Sequence, residues 1–290
     1  MARFLEATDV TREGAIYAGV IDPDWFIWGP FGGYLAAMTM RAMGKRSPHP
    51  RPATFSCQYL NTGHAGPIQI ELYERRASRR ANCIHARMVQ DGKPLLEAQS
   101  WFVAGELEGL HHQHSGMPHV AQVAKLAAFL EPESDGPTSP IWQHIERRPT
   151  GRFAALDQTR PQARWSCWYR LCQDIPNQDL VLQAARAVLL FDLVPWPAAL
   201  AVHQGGKMAH IAPTLDLTVQ FQTELQSAAN WLLIETESPT AGRGLYGAHG
   251  ALWSEIGNLV AFGTNQGICI AVPEYEAPRI HANGPAVGRR

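Results

Sequence analysis

The sequence predicts an α+β protein in which one arrangement, a helix followed by a meander of antiparallel strands, occurs twice. Four strand-like segments separated by turns follow a helix that begins at Gly32. The same order returns in the second half, and Leu60 to Trp101 spans about as many residues as Phe221 to Asn265. A repeated order of this kind predicts two similar halves, each with its own helix and sheet.

Composition favours a soluble globular protein with a small-molecule or protein partner. The 290 residues are 46% hydrophobic and 18% charged, which is enough to bury one large core or two ordinary ones. The formal net charge is -1 and no long charge runs occur. The chain therefore lacks the basic patches that bind nucleic acid or anionic membranes.

Cysteine usage and the N-terminus predict a cytoplasmic location. The five cysteines are odd in number and form neither a C-x-x-C motif nor paired metal-ligand spacing, which is typical of reduced thiols. The N-terminal "MARFLEATDVTREG" lacks the basic and apolar regions of a signal peptide. We find no window with the roughly 18 apolar residues of a membrane span.

The two halves match element by element. The first helix reads "GGYLAAMTMRAMGKR", with alanines that allow close approach, and precedes "ATFSCQYL", "IQIELYERR", "ANCIHARMVQ" and "LLEAQSWFVA". The second helix reads "DLVLQAARAVLLFDL" and precedes "TLDLTVQF", "NWLLIETESP", "GLYGAHGALWS" and "LVAFGTNQGICIAV". Turn signals such as "DGKP" and "EIGN" separate the strands and favour antiparallel pairing.

The segment between the halves, about residues 104 to 160, is not strand-like and predicts a crossover. It contains His111, His112, His114 and His119, but no Cys, Asp or Glu lies at ligand spacing within this cluster. We therefore expect solvated loop histidines and no metal site.

This order of segments resembles the acyl-CoA thioesterase II (TesB-like) family. The resemblance spans roughly residues 15 to 272 apart from the crossover, and it is carried by "GPFGGYLAAMTMRAM", "FSCQYLNTGHAGPIQIELYERR", "QDGKPLLEAQSWF", "FDLVPW", "TLDLTVQF", "NWLLIETESPTAGRGLYGAHGALWSEIGNLVA" and "TNQG". It implies a double hotdog fold, in which two helix-plus-antiparallel-sheet repeats form one continuous sheet.

The implied organisation has four parts. Residues 1–103 form the N-terminal repeat, 104–160 the crossover linker, 161–276 the C-terminal repeat and 277–290 a flexible tail. Because the edges and backs of hotdog sheets commonly pair between chains, we also expect a homo-oligomer.

The resemblance implies a site for a hydrolytic water, held by an aspartate, a threonine and a glutamine. Asp192 in "FDLVPW" matches the aspartate and Thr214 in "APTLDLTVQF" matches the threonine. Asn265 stands where the glutamine is expected, and Gln266 follows it. Neighbouring strand residues face opposite sides, so only one of the two points at the site without a bulge. Keeping the register of "LVA" favours Asn265.

An aspartate within the apolar run "RAVLLFDLVPW" suits this chemistry. Partial burial raises the pKa of a carboxyl group toward the range of a general base, and hydroxyl and amide partners limit the cost of desolvation. The function that we predict is the hydrolysis of acyl-CoA or related acyl-thioesters by carboxylate-activated water, without a cofactor. The structural alternative is a capped or salt-bridged aspartate at the edge of a core helix.

Gly32 and Gly33 open the first helix and are candidate substrate-binding residues. Backbone N–H groups at a helix N-terminus can bind an oxyanion. Close packing of the helix is an equally good explanation of the glycine pair.

One site per chain is expected. The first-half helix reads "FGGYLAAM" where the second reads "LLFDLVPW", so we find no equivalent acid there. Strand alternation also places Asp216 on the same side as Thr214, in a supporting role.

Other functions stay open. Hotdog hydratases carry a motif resembling D-x-N-P-x-H, but this chain reads "DLVPWP", and His203 lies further along the sequence. The second alternative is a hotdog protein that binds or transforms a biosynthetic intermediate, as a lyase, hydratase or cyclase, without thioester hydrolysis.

The sequence offers candidate residues for contacts with the two parts of the substrate, the coenzyme A phosphates and the acyl group. Arg79 and Arg80, in "ERRASRRAN", suit the phosphates of coenzyme A, although a solvated basic turn explains them too. Trp28, Phe31 and Trp196 offer apolar surface for an acyl group, and aromatic core packing is the alternative.

Overall fold

A computed structural model describes residues 3–128, 139–150, 162–176, 178–203, 210–222 and 231–271. The α-helices are α1 (Phe4–Ala7), α2 (Gly32–Arg46), α3 (Leu180–Leu193) and α4 (Pro195–Leu200). Short 3-10 helices cover Pro23–Trp25, Val123–Lys125 and Pro140–Gln143. The strands are β1 (Thr11–Glu13), β2 (Ile16–Ile21), β3 (Arg51–Tyr59), β4 (Gly66–Ala77), β5 (Ala81–Gln90), β6 (Lys93–Val103), β7 (Ile145–Pro149), β8 (Arg164–Leu171), β9 (His210–Ile211), β10 (Thr214–Phe221), β11 (Leu232–Gly242), β12 (Leu245–Ser254), β13 (Leu259–Ile268) and β14 (Ile270–Ala271).

One antiparallel sheet unites the two halves of the chain. Its 12 strands follow the order β1-β2-β4-β5-β6-β3-β10-β13-β12-β11-β8-β7, so that each half has the same internal order and the halves meet at β3 and β10. At this junction Leu217 pairs with Cys57 and Val219 pairs with Phe55. The α+β prediction of two helix-plus-sheet repeats in one continuous sheet is confirmed.

Helices α2 and α3 pack against each other on one face of the sheet. Alanine and methionine dominate the buried residues of α2, and leucine and alanine dominate those of α3. Asp179 caps the start of α3 by accepting a hydrogen bond from the N–H of Leu182 at 2.9 Å. The segment Leu180–Leu200 is long and apolar enough to cross a membrane by composition alone, in contrast to our sequence expectation, but most of it is buried in this core.

The structure adds strands that the sequence analysis did not predict. Each half begins with a pair of strands ahead of its helix, β1 and β2 in the first half and β7 and β8 in the second. Strand β7 lies within residues 104–160, so the description of that segment as free of strands is wrong at Ile145–Pro149. Strand β1 has only three residues and β7 is rich in Arg and Glu, which masks the period-2 pattern in these two strands.

Part of the crossover packs on the sheet face opposite the helices. Met117, Val120, Val123 and Leu126 cover a cluster formed by Trp168, Trp231, Leu233 and Trp253. Residues 129–138 and 151–161 of this region, and the predicted tail 277–290, lie outside the described residues. The predicted boundaries of the repeats therefore stay predictions.

Candidate active site

Asp192 lies in the last turn of α3, where this helix meets the start of α2. The residue is 9% exposed and its neighbours Leu190, Phe191 and Leu193 are buried apolar side chains. The N–H of Gly33 donates a hydrogen bond to the Asp192 carboxylate. The N-terminal end of α2 therefore stabilises the charged form of this aspartate, as the partial positive charge of a helix N-terminus does in general.

The glycine pair allows this close approach. A Cβ placed on Gly32 would lie 2.8 Å from Asp192 Oδ2, and a Cβ on Gly33 would lie 2.7 Å from the carbonyl oxygen of Leu189. Both distances are too short for any larger residue. Close helix packing and a backbone hydrogen bond to a carboxylate thus occur together at Gly33, and its N–H is directed to Asp192.

A β-bulge brings Thr214 to the helix side of the sheet. Thr214 pairs with Gly267 and Asp216 pairs with Gln266, so the intervening Leu215 has no partner on β13. The extra residue places Thr214 on the same face as buried Leu217. Thr214 Oγ1 then donates a hydrogen bond to Asp192 Oδ1 at 2.7 Å.

The same bulge corrects the prediction for Asp216. Simple alternation would put Asp216 and Thr214 on one side, but Asp216 directly precedes buried Leu217 and therefore faces away from Asp192. Its carboxylate accepts a hydrogen bond from the N–H of Gln266 on β13. Asp216 is thus not part of the site.

Asn265 faces Asp192, and Gln266 does not. Asn265 is 5% exposed, and its amide nitrogen lies 3.3 Å from Asp192 Oδ1 and 3.4 Å from Thr214 Oγ1. Burial alternates along β13, with Asn265 and Gly267 buried and Gln266 exposed. Strand β13 runs through this position with unbroken pairing to β12.

Burial dominates the electrostatics of the carboxyl group. The pKa of Asp192 is raised from 3.8 to about 6, because desolvation by burial outweighs the hydrogen bonds from Thr214, Gly33 and Asn265, which lower it. All three of these partners are neutral. The arrangement is a buried carboxylate whose pKa is raised toward the range that suits a general base.

Aromatic side chains form the walls of the site. A Cβ placed on Gly32 would lie 3.1 Å from Cζ of Tyr59, and the Tyr246 ring covers Gly267. Trp196 packs on Tyr246 with ring centroids 5.4 Å apart. Sequence reasoning missed Tyr59 and Tyr246, although the inward position of Tyr59, in step with buried Phe55 and Cys57 on β3, was a usable signal.

The other predicted substrate contacts divide into two groups. Phe31 precedes Gly32 and its ring contacts the Gly33 position, whereas Trp28 lies in the preceding loop and is 55% exposed. Both residues, like Trp196, lie at the Asp192 end of the sheet.

Arg79 and Arg80 lie at the opposite end of the first half, in the turn between β4 and β5. There, the C-terminal Arg46 of α2 contacts Glu74 at 3.8 Å. Because a helix of 15 residues is about 22 Å long, α2 separates this turn from Asp192. The structure does not bring Arg79 and Arg80 into the site.

The predicted histidines that the structure describes do not contribute to the site. His111, His112, His114 and His119 are exposed on the crossover, and no group of three or more potential ligands for a metal ion occurs in the described part of the chain. His203 is exposed beyond the end of α4 and does not replace the histidine of the hydratase motif.

Two profiles of one protein family match the sequence. The profile of the acyl-CoA thioesterase N-terminal domain matches residues 21–103, and that of the acyl-CoA thioesterase C-terminal domain matches residues 121–269. Human acyl-coenzyme A thioesterase 8 is 24% identical over 287 residues, which cover 90% of this chain and 89% of that protein. The rat protein of the same name is 24% identical over 269 residues, which cover 86% and 83%.

Solved structures share the fold. The acyl-CoA thioesterase II TesB2 of Mycobacterium marinum superposes with a TM-score of 0.77 at 21% identity, over 94% of this chain and 100% of that one. A protein with a hot dog fold from Alicyclobacillus acidocaldarius superposes with a TM-score of 0.78 at 21% identity, over 93% and 98%. The double hotdog prediction is confirmed.

Proposed function

The chain belongs to the acyl-CoA thioesterase family, and from this membership we propose that it hydrolyses acyl-CoA thioesters with Asp192 as the general base. Thr214 and Asn265 hold the carboxylate, and Gly33 fixes it from the facing helix. This proposal goes beyond family membership, because it assigns a role to each residue.

The proposed reaction uses the electrophilic carbonyl carbon of a thioester and the readiness of its thiolate to leave. Asp192 takes a proton from a water molecule whose oxygen attacks the thioester carbonyl carbon, forming a tetrahedral oxyanion. The C–S bond then breaks as the carbonyl re-forms, the thiolate leaves, and the proton on Asp192 passes to the departing sulfur. The products are a carboxylic acid and a free thiol, and the carboxylate of Asp192 is regenerated.

The observation that carries the proposal is the set of contacts to Asp192. A buried aspartate whose only role is structural is expected to pair with a cation. The groups that donate to this carboxylate are instead the hydroxyl of Thr214, the amide of Asn265 and the N–H of Gly33. A carboxylate held by neutral donors, with its pKa raised by burial, is suited to accept a proton.

Thiol release tests the proposal. Purified protein is mixed with short, long, branched and aromatic acyl-CoAs, and free thiol is followed with a chromogenic reagent. We expect turnover of at least one acyl class and a loss of about 100-fold or more in kcat for Asp192→Asn, because the amide cannot accept the proton.

Asp216→Asn is the matched control, since Asp216 faces away from the site, and it should keep the wild-type kcat. Full activity of Asp192→Asn would refute the assigned base. Absence of thiol release from every acyl-CoA would refute the hydrolytic function and favour a hotdog protein that transforms another intermediate.

Two further features belong to this proposal. A cytoplasmic location is supported by free cysteines at all five positions, three of them buried. Self-association is supported by the two open edges of the sheet, at the short strands β1 and β7, and light scattering against the 32.0 kDa mass of one chain tests it.

A further inference from the structure

Tyr59 ends β3 and faces the helices, beside the carboxylate of Asp192. A Cβ on Gly32 would lie 3.1 Å from Cε1 and Cζ of Tyr59 and 2.8 Å from Asp192 Oδ2. The tyrosine ring and the carboxylate therefore border the same point at the start of α2. Among charged groups, Asp192 acts most strongly on the Tyr59 hydroxyl.

The Tyr59 hydroxyl is buried and has no oxygen or nitrogen partner among the described residues. Its one recorded hydrogen bond is to the thiol of Cys57, and a sulfur atom is a weak acceptor. A tyrosine that served only to fill space at this position would be replaced by phenylalanine without loss. The hydroxyl is thus a polar group beside Asp192 whose one recorded partner is a weak one.

Its protonation state suits a donor. Burial, followed by the charge of Asp192, raises the pKa of Tyr59 well above that of an ordinary tyrosine. The phenol is therefore neutral over the range in which Asp192 works as a base, and it keeps its proton for donation.

Thioester hydrolysis needs such a donor. Charge develops on the carbonyl oxygen during attack, and a hydrogen-bond donor aimed at that oxygen lowers the barrier. A helix N-terminus is a natural source of this donor, but in this chain the N–H of Gly33 is committed to Asp192. The buried Tyr59 hydroxyl is held only by the Cys57 thiol, and the Tyr59 ring borders the same point at the start of α2 as Asp192 Oδ2.

We infer that Tyr59 is a further catalytic residue, whose hydroxyl donates a hydrogen bond to the thioester carbonyl oxygen as that oxygen becomes anionic. This inference rests on the proposed function. It assigns different tasks to neighbouring groups: Asp192 handles the proton of water, and Tyr59 stabilises the charge on the substrate.

Tyr59→Phe tests the inference, with Tyr34→Phe as the matched control. The Tyr34 hydroxyl is also buried, but it donates to the carbonyl oxygen of Ala7 at 2.8 Å and accepts from the N–H of Asp22 at 3.2 Å. We expect Tyr59→Phe to lower kcat by about 100-fold with KM changed less than about twofold, because the donor acts in the transition state. Its thermal midpoint should not fall.

Tyr34→Phe should give the opposite result, a lower thermal midpoint with unchanged kcat for the folded protein, because its lost hydrogen bonds are structural. Wild-type kcat in Tyr59→Phe, or a loss confined to KM, would overturn the inference. If Tyr59→Phe does not fold, Tyr59→Leu removes the same hydroxyl, and the same two outcomes decide.

Asp192→Asn, assayed in parallel, separates the two ideas. Loss of activity in Asp192→Asn with full activity in Tyr59→Phe overturns the role of Tyr59 alone. Full activity in Asp192→Asn with loss in Tyr59→Phe refutes the assigned base and keeps the donor. An inactive wild-type protein overturns both.

Discussion

The two ends of the α2–α3 helix pair are equivalent by the internal symmetry of the fold, yet only one of them carries polar chemistry. Counted from the first residue of each helix, Gly33 corresponds to Val181 and Gly44 corresponds to Asp192. At the first end, which we call the Asp192 corner, a carboxylate meets the N–H of Gly33. At the other end, the Gly44 corner, the methyl groups of Val181 fill the place that a side chain of Gly44 would take.

The sheet repeats the same contrast. Strand β3 is irregular between Pro52 and Thr54, as β10 is between Thr214 and Asp216. Phe55 pairs with Ser100 as Leu217 pairs with Asn265. Pro52 therefore corresponds to Thr214, and Ser100 corresponds to Asn265.

The comparison separates what the fold provides from what the residues provide. Both corners have a close helix contact and a bulged strand, but the Gly44 corner has a glycine, a proline and a serine in place of the acid, the hydroxyl and the amide. The Ser100 hydroxyl donates to the carbonyl oxygen of Thr54 at 2.5 Å and is thus used within the sheet. The duplicated scaffold offers two positions for a site, and the described residues equip one of them.

The pH profile of kcat gives the largest effect that this comparison predicts. Because the base must be deprotonated and the pKa of Asp192 is raised to about 6, kcat should be constant above about pH 7. It should fall as the pH drops through 6, by about tenfold at pH 5.

We expect the pH profile of kcat to show a single acidic limb, because the Gly44 corner has no carboxylate that could add a second one. Steady-state kinetics from pH 5 to 9, in buffers of constant ionic strength, provide the measurement. A second acidic step in wild-type protein, or an unchanged limb in a weakly active Asp192→Asn, would show that another acid contributes.

Asn265→Ser gives the Asp192 corner the residue type that the Gly44 corner has at Ser100. We expect its effect on kcat to be smaller than the effect of pH. The serine is too short to reach Asp192 Oδ1, so one of three hydrogen bonds to the carboxylate is lost. We expect kcat to fall about fivefold and the acidic limb to move to higher pH, since the lost hydrogen bond favoured the charged form.

Gln266→Ala is the control on the same strand. Gln266 is exposed on the opposite face, so this variant should keep both kcat and the pH profile. Equal losses in the two variants would mean that the strand, and not the amide, is needed. A loss in Gln266→Ala alone would mean that Gln266 enters the site when substrate binds.

Residue type and the family resemblance were sufficient to predict that Asp192, Thr214 and Asn265 come together, and the catalytic role of each stays a prediction. The counterpart of Asp192 was not predictable in the same way. Comparing "FGGYLAAM" with "LLFDLVPW" placed it near the start of α2, whereas antiparallel packing of the helices places it at Gly44. The orientation of Asp216 and the position of Arg79 and Arg80 failed for a similar reason, since a bulge and the direction of a strand are set by pairing with distant segments.

Val181→Ala, at the Gly44 corner, is expected to have the smallest effect. The substitution removes two methyl groups that pack on Gly44, at a cost of about 1–2 kcal/mol in burial, and alanine returns a few tenths through its higher helix propensity. We expect a net loss of about 1 kcal/mol in the free energy of unfolding, measured with urea, and an unchanged kcat. If the two corners were coupled through the helix pair, loosening one contact would shift Gly33 against Asp192 and lower kcat as well. A fall in kcat of more than about threefold at full folding would therefore show that the Gly44 corner holds the Asp192 corner in place, and an unchanged kcat with reduced stability would show that it serves as core alone.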